Sequence, residues 1–167
     1  MRRLFIFCMP SWRTMVVGLL IITPYALTAV IVLYSVLAPW LEYLRLPISA
    51  HFYATLHNFC HQLPSRSFFL MTSNFGLCAR CEVLYASIFM TSTVVLLRPE
   101  TRINFNIFLL MLAPCIIDGA TQYLGYRLST NTLRAFTGLL AGASFALYMY
   151  PRYIYIVKKI IQVDYEQ

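Results

Sequence analysis

The chain alternates long apolar runs with short polar breaks, and the lengths of the runs set the architecture. Residues 15–40 carry no charged side chain, which is more than the roughly 20 residues that cross a hydrocarbon core. Further apolar stretches at 82–97, 105–126 and 133–150 predict three more crossings, the second of them beginning within the 78–81 segment. The expected fold is an all-α, four-helix transmembrane bundle forming a single membrane domain over 1–167. Residues 41–81 are too polar to span yet rich in aromatics, so they are expected to lie along the membrane surface as one or two amphipathic pieces.

Four crossings have a consequence that does not depend on absolute orientation. The segment after the first span and the loop after the third must emerge on the same side. Arg2, Arg3, Arg13, Arg98, Arg102, Arg152, Lys158 and Lys159 fall on one side, and Arg45, Arg66, Arg80, Arg127 and Arg134 on the other. The positive-inside bias therefore places both termini in the cytoplasm and the 41–81 segment outside a multi-pass cell (inner) membrane protein. The start, Met1-Arg2-Arg3 followed by apolar residues, has the look of a secretory leader. Its apolar run is far longer than a leader's, so it reads as an uncleaved first span.

Composition agrees with a bilayer as solvent: 60% of residues are hydrophobic and only 11% charged, against about a quarter charged in soluble domains. A formal charge of +7 would suit nucleic acid if the basic residues formed a stripe. They are scattered in ones to threes between apolar runs, which argues for membrane flanks and against nucleic acid.

Candidate chemistry concentrates in two places. Three of the five cysteines lie in the surface segment, as Cys60, followed by His61, and Cys78-Ala79-Arg80-Cys81. If residues 52–62 are helical, His57, Cys60 and His61 share a face at i, i+3 and i+4. With the Cys-x-x-Cys turn they would offer soft donors at a spacing suited to tetrahedral zinc, namely Cys60, Cys78, Cys81 and either His57 or His61. A second reading is thiol-disulfide exchange coupled to a quinone, because a Cys-x-x-Cys pair at a helix start favours the thiolate; the solitary Cys60 counts against it. A third is a nonenzymatic scaffold in which these residues are buried small side chains or one structural disulfide. No Cys-x-x-Cys-His sequence is present for covalent haem, and Cys8 and Cys115 stand apart as ordinary hydrophobes.

The second place is a polar stripe inside the third span. At 100° per residue Cys115, Asp118, Gln122 and Tyr126 fall on one face, and an intramembrane acid must face protein or water. The loop after it runs Arg127-Leu128-Ser129-Thr130-Asn131-Thr132-Leu133-Arg134, in which Ser129, Thr130 and Asn131 suit helix capping and the two arginines suit an anion. Gly138 and Gly142 form a small-xxx-small pattern. If the third span is their neighbour, Arg134 is expected to ion-pair with Asp118 beside Gln122. Asp118, Gln122 and Arg134 are thus the catalytic candidates, with Asp118 the general base if burial raises its pKa. Arg127, Ser129, Thr130 and Asn131 are the substrate-binding candidates for a lipid-like or anionic molecule. Glu82 is a further acid nearby.

The strings Cys60-His61-Gln62, Arg66-Ser67-Phe68, Cys78-Ala79-Arg80-Cys81, Asp118-Gly119, Arg134 and Thr137-Gly138 together resemble a family of predicted prokaryotic membrane proteins, the domain of unknown function numbered 2085, over residues 56–142. Where that family has Thr-Gly-Ile-Tyr after its second cysteine, this chain has Glu82-Val83-Leu84-Tyr85. The resemblance implies a membrane protein and singles out these residues; it implies no particular substrate.

Overall fold

In the computed structural model, which describes residues 12–98 and 100–163, the chain forms five α-helices and one β-hairpin. Helix α1 covers Trp12–Tyr43 and α2 Ser49–His57; strands β1 (Ser67–Leu70) and β2 (Ser73–Cys78) follow; then come α3 (Ala79–Leu97), α4 (Phe105–Tyr123) and α5 (Asn131–Val163). Cys8 and the N-terminal Arg2 and Arg3 lie outside the described residues. Among the described residues, three helices are long and apolar enough to cross a membrane, over Met15–Tyr43, Ala79–Leu97 and Phe105–Tyr123. Their outward faces carry large apolar side chains such as Leu19, Leu33, Leu97 and Leu110, as lipid contact requires.

Helix α3 starts at Ala79, within the expected 78–81 segment, because Cys78 is still extended, with φ −69° and ψ 157°. Two other span boundaries differ from the sequence expectation. Helix α4 stops at Tyr123 rather than 126. Gly125 takes φ +75° and its N–H donates to Gln122 O, while that of Tyr126 donates to Thr121 O; this pair of bonds around a left-handed glycine is the Schellman stop. Helix α5 runs well past 150, straight through Pro151.

The surface segment departs more. Between α1 and α3 only 49–57 is α-helical, so the 52–62 helix that would have aligned His57, Cys60 and His61 does not form. Residues 67–78 pair as an antiparallel hairpin instead, with Ser67 opposite Cys78, Phe69 opposite Asn74 and a bulge between Ser67 and Phe69. Aromatic Phe68, Phe69 and Phe75 favour a pleated surface, and Phe68 meets Phe75 edge-on at 6.4 Å between ring centroids.

Glycine decides how the helices approach. A Cβ on Gly138 would lie 2.4 Å from Arg80 O, and one on Gly142 would lie 2.3 Å from Leu84 O. The small-residue face of α5 therefore receives α3, not α4 as the hairpin argument from sequence expected. Helix α4 packs on another part of α5, and α1 packs on α3, α2 and the hairpin. Gly76 brings β2 against α1 and α2 in the same way, since its Cβ would meet Leu56 Cδ1 at 2.4 Å and Ser35 Cα at 3.2 Å. Away from the hairpin, Ile21, Val95, Tyr150, Ile154 and Val157 form an apolar cluster, tied to α1 by Tyr150, whose hydroxyl donates to Ile21 O at 2.7 Å.

Candidate functional site

The hairpin end of the helices collects both groups of candidate residues. Cys60 follows α2 in a loop that Gln62 closes: its backbone turns to φ 52° and its side-chain amide donates to Tyr53 O at 2.8 Å. Cys78 ends β2 and precedes α3, while Cys81 sits in the first turn of α3. The three sulfur atoms all lie within 4.8 Å of one another. Cys60 is buried and the other two half-buried, packed against Ile31, Leu56, Leu77, Tyr34 and Tyr85.

Hydrogen bonds converge on Cys60 Sγ. The thiols of Cys78 and Cys81 donate to it, and so do backbone amides of Gln62 and Cys78, the last at 3.3 Å. These donors, Cys78 foremost, hold the Cys60 thiol well below the usual range, although burial opposes them. The reciprocal interaction with Cys60 is what chiefly pushes Cys78 up. Three soft donors so arranged fit one tetrahedral ion: with Zn–S near 2.3 Å the sulfurs need to be about 3.8 Å apart, a contraction of about 1 Å from the limit seen here. Neither histidine joins them. His57 and His61 are both exposed and lie outside the cysteine group, because α2 ends before the turn that would have brought His61 round.

The second group is built on Asp118, which is 1% exposed. Its Oδ2 accepts from Arg80 Nη2, from Gln122 Nε2 at 2.9 Å and from Ser129 Oγ at 3.2 Å. Its Oδ1 accepts from Arg127 Nη2 at 2.8 Å. The expected Asp118–Arg134 ion pair is therefore replaced by Asp118 between Arg80 and Arg127. The reason is the packing of α5: its glycines admit the first turn of α3, and that turn carries Arg80 to the carboxylate. Gly119 lies beside it, where a Cβ would make only an ordinary contact with Arg80 Nη1, at 3.5 Å. Arg134 donates instead to neutral oxygens. Its Nε and Nη2 reach Gln122 Oε1 at 3.3 and 3.0 Å, and its Nη1 reaches Asn131 Oδ1 at 3.0 Å. Gln122 thus joins Asp118 to Arg134.

The loop residues have structural partners. Thr130 caps α5 by accepting from Leu133 N at 3.3 Å, and Asn131 ties α5 to the hairpin by donating to Ser67 O at 3.1 Å. Glu82 is buried and faces Ser35 of α1. Arg80 is the participant that the sequence reading left unassigned. The available signal was its place between the two cysteines, where one helical turn must present successive side chains to different neighbours.

Comparison with known proteins gives a consistent picture. The family described as Predicted membrane protein (DUF2085) matches residues 60–148. An uncharacterized protein of Methanocaldococcus jannaschii is 32% identical over 134 residues, covering 74% of this chain and 85% of its own length. An uncharacterized protein of Methanothermobacter thermautotrophicus is 39% identical over 90 residues, covering 53% of this chain and 81% of its own. No solved structure matches the chain.

Proposed function

Since the chain belongs to the family of predicted membrane proteins DUF2085, we propose that it is a four-span, multi-pass protein of the cell membrane with a zinc centre beside an arginine-rich cluster, acting as a metal-dependent enzyme on a lipid-like or anionic substrate. The fourth span is α5. At 33 residues it extends roughly 50 Å, ample for a core about 30 Å thick. Its hydropathy is diluted because its inward face is small and polar, with Arg134, Thr137, Ala141 and Ser144 all buried. Both termini are then cytoplasmic and the hairpin end extracytoplasmic.

Cys60, Cys78 and Cys81 would hold the zinc, leaving a fourth position for water or substrate, as in catalytic rather than closed structural sites. Bound there, the ion would supply Lewis acidity and lower the pKa of a bound water. Asp118, saturated by two arginines, Gln122 and Ser129, acts as a positioning residue for Arg80 and Arg127 rather than as a free base. Gln122 and Asn131 orient Arg134. The observation carrying this reading is Arg80: one turn supplies two sulfurs to the first group and a guanidinium to the second, so a molecule at one is within reach of the other.

Metal analysis of the purified chain tests it. One zinc per chain is expected, with Cys60→Ser and Cys78→Ser each losing at least nine-tenths of it. Metal-free protein in which Cys78 and Cys81 cycle between thiol and disulfide in step with a quinone would replace this reading by the oxidoreductase one.

A further inference from the structure

Arg134 is 4% exposed, and all three of its hydrogen bonds go to uncharged amide oxygens. A guanidinium has five N–H groups, so two remain for another acceptor. Among the described residues no carboxylate reaches salt-bridge distance of Arg134; the ion pairs at this end are Arg80 and Arg127 with Asp118. Buried charges are ordinarily paired, because desolvation costs several kcal/mol per ion. Arg66 and Arg80 act on Arg134 as like charges, and Asp118, already bonded to Arg80 and Arg127, opposes them only from beyond salt-bridge distance. In addition, the Nε of Arg80 is buried without any hydrogen-bond partner. The chain has gathered positive charge and left donor capacity unused at one spot.

The charge balance narrows what could settle there. Arg80 and Arg127 share the one carboxylate of Asp118, while Arg134, on which Arg66 and Arg80 act as like charges, is hydrogen-bonded only to amide oxygens. The four guanidiniums exceed that carboxylate by three charges. A carboxylate ligand would offset one of the three, whereas a doubly charged phosphate would offset two. Guanidinium forks also match phosphate geometry in pairs.

We infer that Arg134 and Arg66 seat a dianionic phosphate group, brought by an amphiphile whose chain lies in the bilayer or by a free phosphate. This deepens the anionic-substrate reading above and rests on it, though not on the presence of zinc. Arg134 supplies the sheltered contact. Arg66, exposed just before β1, supplies the contact at the rim.

The test titrates the full chain in detergent with a short-chain phosphatidate, the matching phosphatidylcholine, inorganic phosphate and a fatty carboxylate, with zinc measured on the same samples. Phosphatidate is expected to bind at least tenfold more tightly than phosphatidylcholine or the carboxylate. Arg134→Gln and Arg66→Gln are each expected to weaken it at least tenfold, and Arg134→Lys to restore part of the loss. Inorganic phosphate binding as tightly as phosphatidate, with the same dependence on Arg134 and Arg66, assigns the seat to free phosphate; weak inorganic phosphate binding assigns it to the lipid. Tight carboxylate binding without phosphatidate binding overturns the phosphate seat and leaves the anionic reading standing. Failure of all these anions overturns both. Wild-type affinity in Arg66→Gln and Arg134→Gln overturns the seat, and the exposed position of Arg66 keeps that variant informative if Arg134→Gln does not fold. Phosphatidate selectivity in zinc-free protein upholds the seat and refutes the metal reading.

Discussion

The two ends of the helices are held together by different physics. At the end away from the hairpin, Ile21, Val95, Tyr150, Ile154 and Val157 interlock, and Tyr25 stacks on Phe89 at 4.8 Å. In a bilayer such contacts gain little from the hydrophobic effect, because lipid is as apolar as the side chains, and shape complementarity does the holding. At the hairpin end the apolar cluster itself includes a cysteine, Cys60, and a buried carboxylate is surrounded by arginines and amides. Packing of the first kind tolerates substitution by anything of similar volume. The second kind depends on specific groups, since removing one member strands another where water cannot replace it. The contrast is why the proposed chemistry is assigned to the hairpin end and a supporting role to the other.

Three substitutions sharpen or break this contrast. The largest effect is expected from Asp118→Ala, which leaves Arg80 and Arg127 facing one another without their shared counter-ion. Breaking a buried pair costs about 3–5 kcal/mol. Because Arg80 and Arg127 retain 22% and 45% side-chain exposure, about 3 kcal/mol is the expectation. A fall in the thermal midpoint in detergent would show it, and an unchanged midpoint would mean the arginines find solvent or other partners easily.

Next comes Gly138→Ala, which drives a methyl into Arg80 O and must push α3 away from α5. Overpacking of this sort costs about 1–3 kcal/mol. It is also expected to lower zinc affinity, since Arg80 and both cysteines of the turn move with α3. A stable variant with undiminished zinc would show that the α3–α5 contact does not set the sulfur geometry.

The smallest effect is expected from Tyr150→Phe, which deletes the hydroxyl bonded to Ile21 O while keeping the ring. One neutral hydrogen bond is worth about 1 kcal/mol, and zinc content should not change. Loss of zinc in this variant would collapse the distinction between a supporting end and a chemical one.

Much of the architecture was legible from hydropathy. The unbroken run at 15–40 and the stretches at 82–97 and 105–126 correspond to the three apolar helices, and the grouping of Cys60, Cys78 and Cys81 followed from their spacing. Asp118 and Gln122 on one face followed from helical periodicity, which holds whatever surrounds the helix. The hairpin at 67–78 was not legible, because a short aromatic segment supports strand or helix equally and long-range pairing decides. The histidines were overcalled for the same reason: their alignment required a helix that Cys60 has already left.

What the sequence determined by itself was therefore local and periodic: which runs are apolar, which residues share a helical face, which cysteines are close along the chain. Only the tertiary structure decided which partner meets which. Arg134 and Arg80 are both arginines within reach, on sequence grounds, of an acid on another helix. It is the close approach of α3 to α5, permitted where Gly138 and Gly142 have no side chain, that gives Asp118 to Arg80 and leaves Arg134 with amides. Contacts between helices depend on their relative rotation and separation, and these are set by steric fit summed over whole faces rather than by any one residue.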